Sequence, residues 1–215
     1  MNFKNFILDL LFPVSCVNCG QENKTQTYLC NNCFKRLKFC GRNYNLNLEF
    51  IDEIIIAGDY DDQALMKLIK ILKFNSIRSA GSILAKFLCL FWQGRAYFKN
   101  EDYIVVPIPL AKKREKQRGF NQAEIIAHDF ANNFGYQLNC DLEKIKNTEA
   151  QSKLEEKKRV DNISGAFKWK GENLSGQNII LFDDVITTGA TINEAAKVLK
   201  VAGAKYIIAL AIAKG

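Results

Sequence analysis

The chain has 215 residues, a length that suits one domain of ordinary size with a small accessory module. Its composition, 48% hydrophobic and 25% charged, provides enough apolar side chains for a core and excludes a largely disordered chain. The net charge of +7 favours phosphate-bearing partners such as nucleotides or nucleic acid, although a solvated basic surface would give the same value.

The first segment, residues 1–13 (MNFKNFILDLLFP), is apolar, but Asp9 interrupts it and Pro13 ends it. It lacks the long apolar run and the small-residue cleavage site of a signal peptide. The longest apolar stretch, residues 83–92, is too short to cross a bilayer and contains Lys86. The sequence therefore predicts a soluble cytoplasmic protein without a transmembrane segment.

Five of the seven cysteines lie before residue 45, where the composition changes. Four of them form two Cys-x2-Cys pairs: Cys16, Cys19, Cys30 and Cys33. Two such pairs predict a closed tetrahedral zinc site that serves folding rather than chemistry. Buried free thiols, a redox pair and an iron–sulfur cluster are less favoured alternatives, and Cys40 is an alternative ligand. We predict a four-cysteine zinc module over residues 1–45 and a second domain over residues 46–215.

The second domain alternates apolar runs with amphipathic patterns. Strands are predicted over residues 51–60, 103–107, 178–182 and 206–213. Helices are predicted around residues 65–72 and over residues 77–93, 123–134 and 192–202. Strands that are apolar on both faces and alternate with helices indicate an α/β fold, with a parallel sheet covered on both sides.

A basic segment follows the predicted strand 103–107, and its five cations surround a single acid. The cations are Lys112, Lys113, Arg114, Lys116 and Arg118. This composition predicts a loop that contacts phosphate groups of pyrophosphate, of a DNA backbone or of both, with a solvated surface loop as the alternative. Phe120, beside the cations, is interpreted either as a ring that stacks on a base or as a core anchor.

The most informative stretch begins where the apolar residues 178–182 run into two acids, Asp183 and Asp184. A segment rich in hydroxyl groups and accessible amides comes after them: Thr187, Thr188, Gly189, Ala190 and Thr191. At the end of a strand and the start of a helix, this segment predicts a cradle for a monophosphate. The carboxylates suit ribose hydroxyl groups instead, directly or through a divalent ion. A turn with a helix N-cap is the alternative.

Residues 183–191 resemble the signature that binds phosphoribosyl pyrophosphate (PRPP) in type I phosphoribosyltransferases. The resemblance implies that Asp183 and Asp184 hold the ribose hydroxyl groups, with Mg²⁺ as counter-ion, and that the threonine-rich segment binds the 5-phosphate. Purine-salvage members often carry Asp where this chain has Thr187, which argues against a hypoxanthine or guanine salvage enzyme. Some relatives with such loops only sense nucleotides, so the signature indicates binding more strongly than catalysis.

Other segments of the sequence narrow the resemblance to one family. They are residues 106–110 (VPIPL), residues 118–122 (RGFNQ), Thr148, Gln151, Arg159, Asn162 and residues 165–167 (GAF). Together with the cysteine pairs, they are similar to the ComF/GntX family, the competence protein F group, over nearly the whole chain. This resemblance implies a type I phosphoribosyltransferase-like sheet flanked by helices, with the basic segment at the usual place of the pyrophosphate-binding loop. Residues 143–161, rich in Lys and Glu, predict a mobile lid over the PRPP site or a charged linker.

The resemblance implies a role in natural transformation, in which internalised single-stranded DNA reaches the cytoplasm. The implied partners are PRPP, single-stranded DNA and competence-machinery proteins at the inner membrane. Catalysis stays open, with a phosphoribosyltransferase of unknown acceptor as one hypothesis. The alternatives are an active phosphoribosyltransferase or amidophosphoribosyltransferase-like enzyme of nucleotide metabolism, unrelated to DNA uptake, and a nucleic-acid-binding module that uses PRPP only as a regulatory ligand.

Overall fold

The structure is a computed structural model that describes residues 15–23, 27–40, 44, 46–74, 77–95, 102–146 and 163–215. Two predictions fall wholly or mainly outside these residues: the N-terminal segment 1–13 and the lid beyond residue 146. The family-like positions Thr148, Gln151 and Arg159 also lie outside them, as does Asn162. The boundary between modules near residue 45 stays a prediction.

The strands are β1 (Glu53–Gly58), β2 (Tyr103–Pro107), β3 (Gln137–Leu138), β4 (Leu142–Lys144), β5 (Phe167–Trp169), β6 (Asn178–Ile186) and β7 (Tyr206–Lys214). The helices are α1 (Asn31–Phe34), α2 (Gln63–Phe74), α3 (Ser79–Gln93), α4 (Lys112–Arg118), α5 (Gln122–Phe134) and α6 (Ala190–Val201). Five strands form one parallel sheet in the order β1-β7-β6-β2-β3, and β4 pairs with β5 as a separate antiparallel ribbon.

The sheet is buried on both faces, as its continuous apolar strands predict. In β6, Ile180 and Phe182 pack into a core shared with α2, α3 and α5, whereas Ile179 and Leu181 pack into a second core shared with α6. Side chains alternate between the faces of a strand, so four consecutive apolar residues supply both cores. Each fully buried side chain of this size stabilises the fold by about 1.5–3 kcal/mol. The predicted α/β fold with helices on both sides is confirmed.

The cysteine-rich segment packs directly against the sheet and α3. Phe39 forms an antiparallel bridge with Gly58, and the amide of Cys40 donates to the carbonyl of Ala57 at 2.8 Å, which extends the edge beyond β1. The ring of Phe39 lies 5.1 Å from that of Phe87 on α3. The zinc module is therefore anchored through both backbone and aromatic contacts.

Several boundaries differ from the predictions. The basic segment is not a loop, because residues 112–118 form helix α4. Its sequence, KKREKQR, consists of good helix formers, and Gly119 ends it in the left-handed conformation at φ 78°. Strand β6 continues to Ile186, so both acids lie within the strand. Helix α6 begins at Ala190, two residues before the predicted start.

None of the helices that the structure describes combines the length and the apolarity needed to cross a membrane.

Candidate functional site

Residues 187–191, the predicted phosphate cradle, are called the phosphate loop below. They connect β6 to α6, as the sequence predicts. Gly189 caps the helix at φ 83°, and its carbonyl accepts from the amide of Asn193 at 2.9 Å. A Cβ atom at Gly189 would lie 2.7 Å from Cδ1 of Leu48, so both backbone conformation and space require glycine here. Phe50 donates its amide to Asn193 Oδ1 at 3.1 Å. The chain leaving the zinc module therefore lies against the phosphate loop.

The two acids occupy different environments at the end of β6. Asp184 is 3% exposed, and its Oδ1 lies 2.8 Å from Nζ of Lys73, at the end of α2. Asp183 is half-buried, and its Oδ1 accepts the amide of Asp184 at 2.8 Å. Within the described residues, Asp184 Oδ2 is buried without a hydrogen-bond partner. A buried carboxylate oxygen of this kind fits a hydroxyl group or a divalent ion of a ligand.

The pKa of Asp183 is raised to about 7. Removal from water is the main cause and the charge of Asp184 adds to it, whereas Lys73 and Lys144 oppose the rise. Lys73 pairs directly with Asp184 and acts on Asp183 only through its charge. Asp183 therefore changes charge near neutral pH, and a bound cation would favour its ionised form.

Three further cations surround the acids. Burial is the main cause that lowers the pKa of Arg118, with the neighbouring Arg114 adding to it and Asp184 opposing it. Burial likewise lowers the pKa of Lys144 to about 8, with Arg114 adding and Asp183 opposing. These charge interactions connect cations of α2, α4 and β4 with the two acids of β6. Sequence reasoning missed Lys73, which belongs to no motif, and placed Lys144 in the predicted lid, whereas the structure places it in β4.

Helix formation divides the predicted phosphate ligands of the basic segment into two groups. Arg114 and Arg118, one helical turn apart, are half-buried, and the charge of Arg118 interacts with Asp184. Lys112, Lys113 and Lys116 are exposed. A cleft of about 170 Å³ reaches this helix and is lined by Lys112, Lys144, Asn121, Glu115 and Cys140, among others. The two arginines are therefore the partly buried cations of α4, and its three lysines face solvent.

Phe120 belongs to the core. It is 8% exposed, and the guanidinium of Arg78 lies over its ring at 5.2 Å from the centroid. Arg78 also donates to the carbonyl of Gly119 at 3.0 Å. The interpretation of Phe120 as a core anchor is confirmed, and its ring is not available to a base.

The four predicted zinc ligands come together at the N-terminal module. The sulfur atoms of Cys16, Cys19, Cys30 and Cys33 all lie within 4.8 Å of one another. The Cys19 and Cys30 sulfurs are 3.9 Å apart, close to the roughly 3.8 Å edge of a tetrahedron with Zn–S distances of about 2.3 Å. The amide of Cys30 points to Cys16 Sγ at 3.5 Å. This geometry supports a structural zinc ion.

Cys40 is not part of the cluster that the described residues form. It is buried, and its sulfur lies 3.6 Å from the hydroxyl group of Tyr44. Cys89 is a buried residue of the core, as its apolar surroundings in the sequence suggest. The four predicted cysteines therefore form the zinc site without a substitute ligand.

Comparison with known proteins agrees with both modules. A family model described as a double zinc ribbon domain matches residues 7–44. A second, described as a phosphoribosyl transferase domain, matches residues 116–215. The second match contains Arg118, the acid pair and the phosphate loop.

Three curated relatives are similar to the chain. Competence protein F of Haemophilus influenzae is 29% identical over 91% of this chain and 82% of its own length. Competence protein ComFC of Bacillus subtilis is 39% identical over 47% of this chain and 40% of its own length. DNA utilization protein YhgH of Escherichia coli is 28% identical over 89% of this chain and 86% of its own length. The chain is thus similar over about nine-tenths of its length to competence protein F and to DNA utilization protein YhgH, and it combines a phosphoribosyltransferase-like domain with a four-cysteine zinc module.

Proposed function

We propose that this protein acts in DNA uptake during natural competence, binding PRPP with Mg²⁺ and contacting single-stranded DNA in the cytoplasm. The observation that carries the proposal is the acid pair at the end of β6. Asp184 has a buried oxygen without a partner in the described part of the chain, and Asp183 beside it titrates near neutral pH. Such groups favour a ligand that brings hydroxyl groups and a divalent cation together.

The chemistry of PRPP fits the groups around the acids. Its 5-phosphate would bind the hydroxyl groups and amides of Thr187–Thr191 at the start of α6, where the helix dipole favours an anion. Its ribose hydroxyl groups and Mg²⁺ would meet Asp183 and Asp184. Its pyrophosphate would meet Arg114 and Arg118. Mg²⁺ supplies charge neutralisation of the phosphate oxygens when bound.

The exposed lysines of α4 support the contact with DNA. Lys112, Lys113 and Lys116 face solvent on the same short helix whose Arg118 interacts with Asp184. Cations that neutralise backbone phosphates give sequence-independent affinity, which suits transport of any internalised strand. The names of the relatives, competence protein F and DNA utilization protein, agree with this role. Competence-machinery proteins at the inner membrane are the proposed partners that deliver the strand.

Binding of PRPP is tested by titration calorimetry with PRPP and Mg²⁺. The Asp183→Asn plus Asp184→Asn variant should lose binding, whereas Asp141→Asn, an exposed acid outside the pair, should keep it. Retained affinity in the double variant would refute the site. The same protein, mixed with PRPP and candidate acceptors including single-stranded DNA, should be assayed for pyrophosphate release, which separates an enzyme from a binding protein.

Contact with DNA is tested by charge reversal. Replacing Lys112, Lys113 and Lys116 with Glu should weaken binding to single-stranded DNA and reduce its dependence on salt by about 0.7 units of slope per lost phosphate contact. The control variant replaces three exposed lysines elsewhere with Glu and so changes the net charge by the same amount. These lysines are Lys67, Lys70 and Lys205. Equal losses in the two triple variants would show that only net charge matters, and would remove α4 from the DNA surface.

A further inference from the structure

Phe74, the last residue of α2, is an exposed aromatic side chain beside the acid pair. Phe74 is 75% exposed, which makes it one of the most exposed large apolar residues that the structure describes. The preceding residue, Lys73, holds Asp184. A single exposed apolar side chain is common on protein surfaces, so the exposure of Phe74 points to a site only through the charged groups beside it.

Arg118 connects the ring to the acids. Its guanidinium carbon lies 5.9 Å from the centroid of Phe74, within the range of a cation–π contact. The same guanidinium donates to Oε1 of Gln122 at 2.8 Å, which fixes its orientation, and its charge interacts with Asp184. Arg118 therefore contacts the exposed ring and interacts through its charge with the buried acid.

Other exposed apolar residues lack this combination. Val201, at the end of α6, is 85% exposed, but α6 begins at the phosphate loop and Val201 ends the helix on the far side. Phe120, which the sequence suggested as a stacking ring, is covered by Arg78. Phe74 thus presents an exposed ring beside a cation that interacts with the acids.

We propose that Phe74 and Arg118 form a stacking platform for a base of single-stranded DNA next to the PRPP pocket. This inference rests on the proposed function, because it names the part of the strand that approaches the site. A base places its π-face on the ring, while the phosphates beside it meet the exposed lysines of α4, one of which is Lys116. Stacking of this kind does not depend on sequence, since every base has a π-face.

The test compares two oligonucleotides of equal length, oligothymidylate and an abasic strand, by fluorescence anisotropy. Phe74→Ala should weaken binding of oligothymidylate by about 5- to 150-fold, the range for loss of one stacked base. It should leave binding of the abasic strand unchanged, because that strand has no base to stack. Phe74→Trp should keep the affinity for oligothymidylate, and Val201→Ala, an exposed apolar control, should match the unaltered protein on both strands.

Two outcomes would overturn the platform. One is unchanged affinity of Phe74→Ala for oligothymidylate; the other is an equal loss on both strands, which would mean that the backbone and not the base is affected. Failure of the proposed function looks different, because the unaltered protein would then bind neither strand or would not bind PRPP. Calorimetry of Phe74→Ala with PRPP and Mg²⁺ should give the same affinity as the unaltered protein.

Discussion

The ion pair between Lys73 and Asp184 makes a quantitative prediction about stability. Replacing Lys73 with Met keeps most of the side-chain volume but removes the charge that lies 2.8 Å from Asp184 Oδ1. The side chain of Asp184 is only 4% exposed, so water cannot replace the lost partner. Breaking a buried pair in this way costs about 3–5 kcal/mol, because one charge stays buried and uncompensated.

The ability of the acid to take up a proton limits that cost. At 2.8 Å and an effective dielectric constant of about 20, the pair is attracted by about 6 kcal/mol. A carboxyl group with an unfolded-state pKa of about 4 can instead be protonated for about 4 kcal/mol near pH 7 and about 1.5 kcal/mol near pH 5. Loss of Lys73 should therefore destabilise the protein by at most about 4 kcal/mol near pH 7, and by at most about 1.5 kcal/mol near pH 5.

Urea unfolding at the two pH values, followed by circular dichroism, measures this difference. Lys67→Met, on the exposed face of the same helix, removes the same charge and should change the free energy of unfolding by less than about 0.5 kcal/mol. A loss in Lys73→Met that exceeds about 1.5 kcal/mol and is the same at both pH values would refute the reasoning, because it would come from packing. A loss no larger than that of Lys67→Met would show that Asp184 is not buried as described.

Native mass spectrometry should find one zinc ion per chain. The Cys30→Ser variant should lose both the metal and the fold of the zinc module, whereas Cys140→Ser, a change outside the cluster, should keep both. Gly189→Ala should destabilise the protein by about 1–3 kcal/mol through backbone strain, and it should also weaken PRPP binding. The control Gly135→Ala has a similar positive φ but an open Cβ position, so it should cost less in urea unfolding. Equal costs for the two variants would refute the contact with Leu48. The raised pKa of Asp183 means that its native form binds a proton more tightly than its unfolded form, so its contribution to stability falls as pH rises from about 4 to about 7. In the Asp183→Asn variant, the urea midpoint should no longer show this fall in stability between about pH 4 and about pH 7. An unchanged pH dependence would refute the raised pKa of Asp183.

Much of the architecture follows from local sequence patterns. The run Ile179–Phe182 is apolar on both faces, and its burial in two cores follows from that pattern alone. The cysteine spacing likewise predicts the cluster at Cys16–Cys33, since two short turns bring four thiols together. Short strands could not be predicted in this way. β3 and β4 contain two and three residues, fewer than a periodic pattern needs.

The site itself was predictable only where its residues are contiguous. Asp183 and Asp184 are recognisable because the chemistry and the strand that presents them stand together in the sequence. Lys73 and Lys144 come from distant elements, and nothing in their own neighbourhoods distinguishes them from solvated lysines. Phe120 shows the opposite error. A ring beside cations in the sequence is a core residue in the fold, and the exposed ring beside those cations belongs to a different helix.

The balance of charge at the site determines how a metal ion would arrive. Two acids stand among four cations: Lys73, Arg114, Arg118 and Lys144. Protonation of Asp183 near neutral pH makes the surroundings still more positive. A bare divalent cation therefore meets net repulsion, whereas PRPP carries several negative charges and offsets the cations. Mg²⁺ should thus bind as its complex with PRPP, and calorimetry with Mg²⁺ alone should show no binding at the acids. Saturable Mg²⁺ binding that Asp183→Asn plus Asp184→Asn abolishes would refute this order.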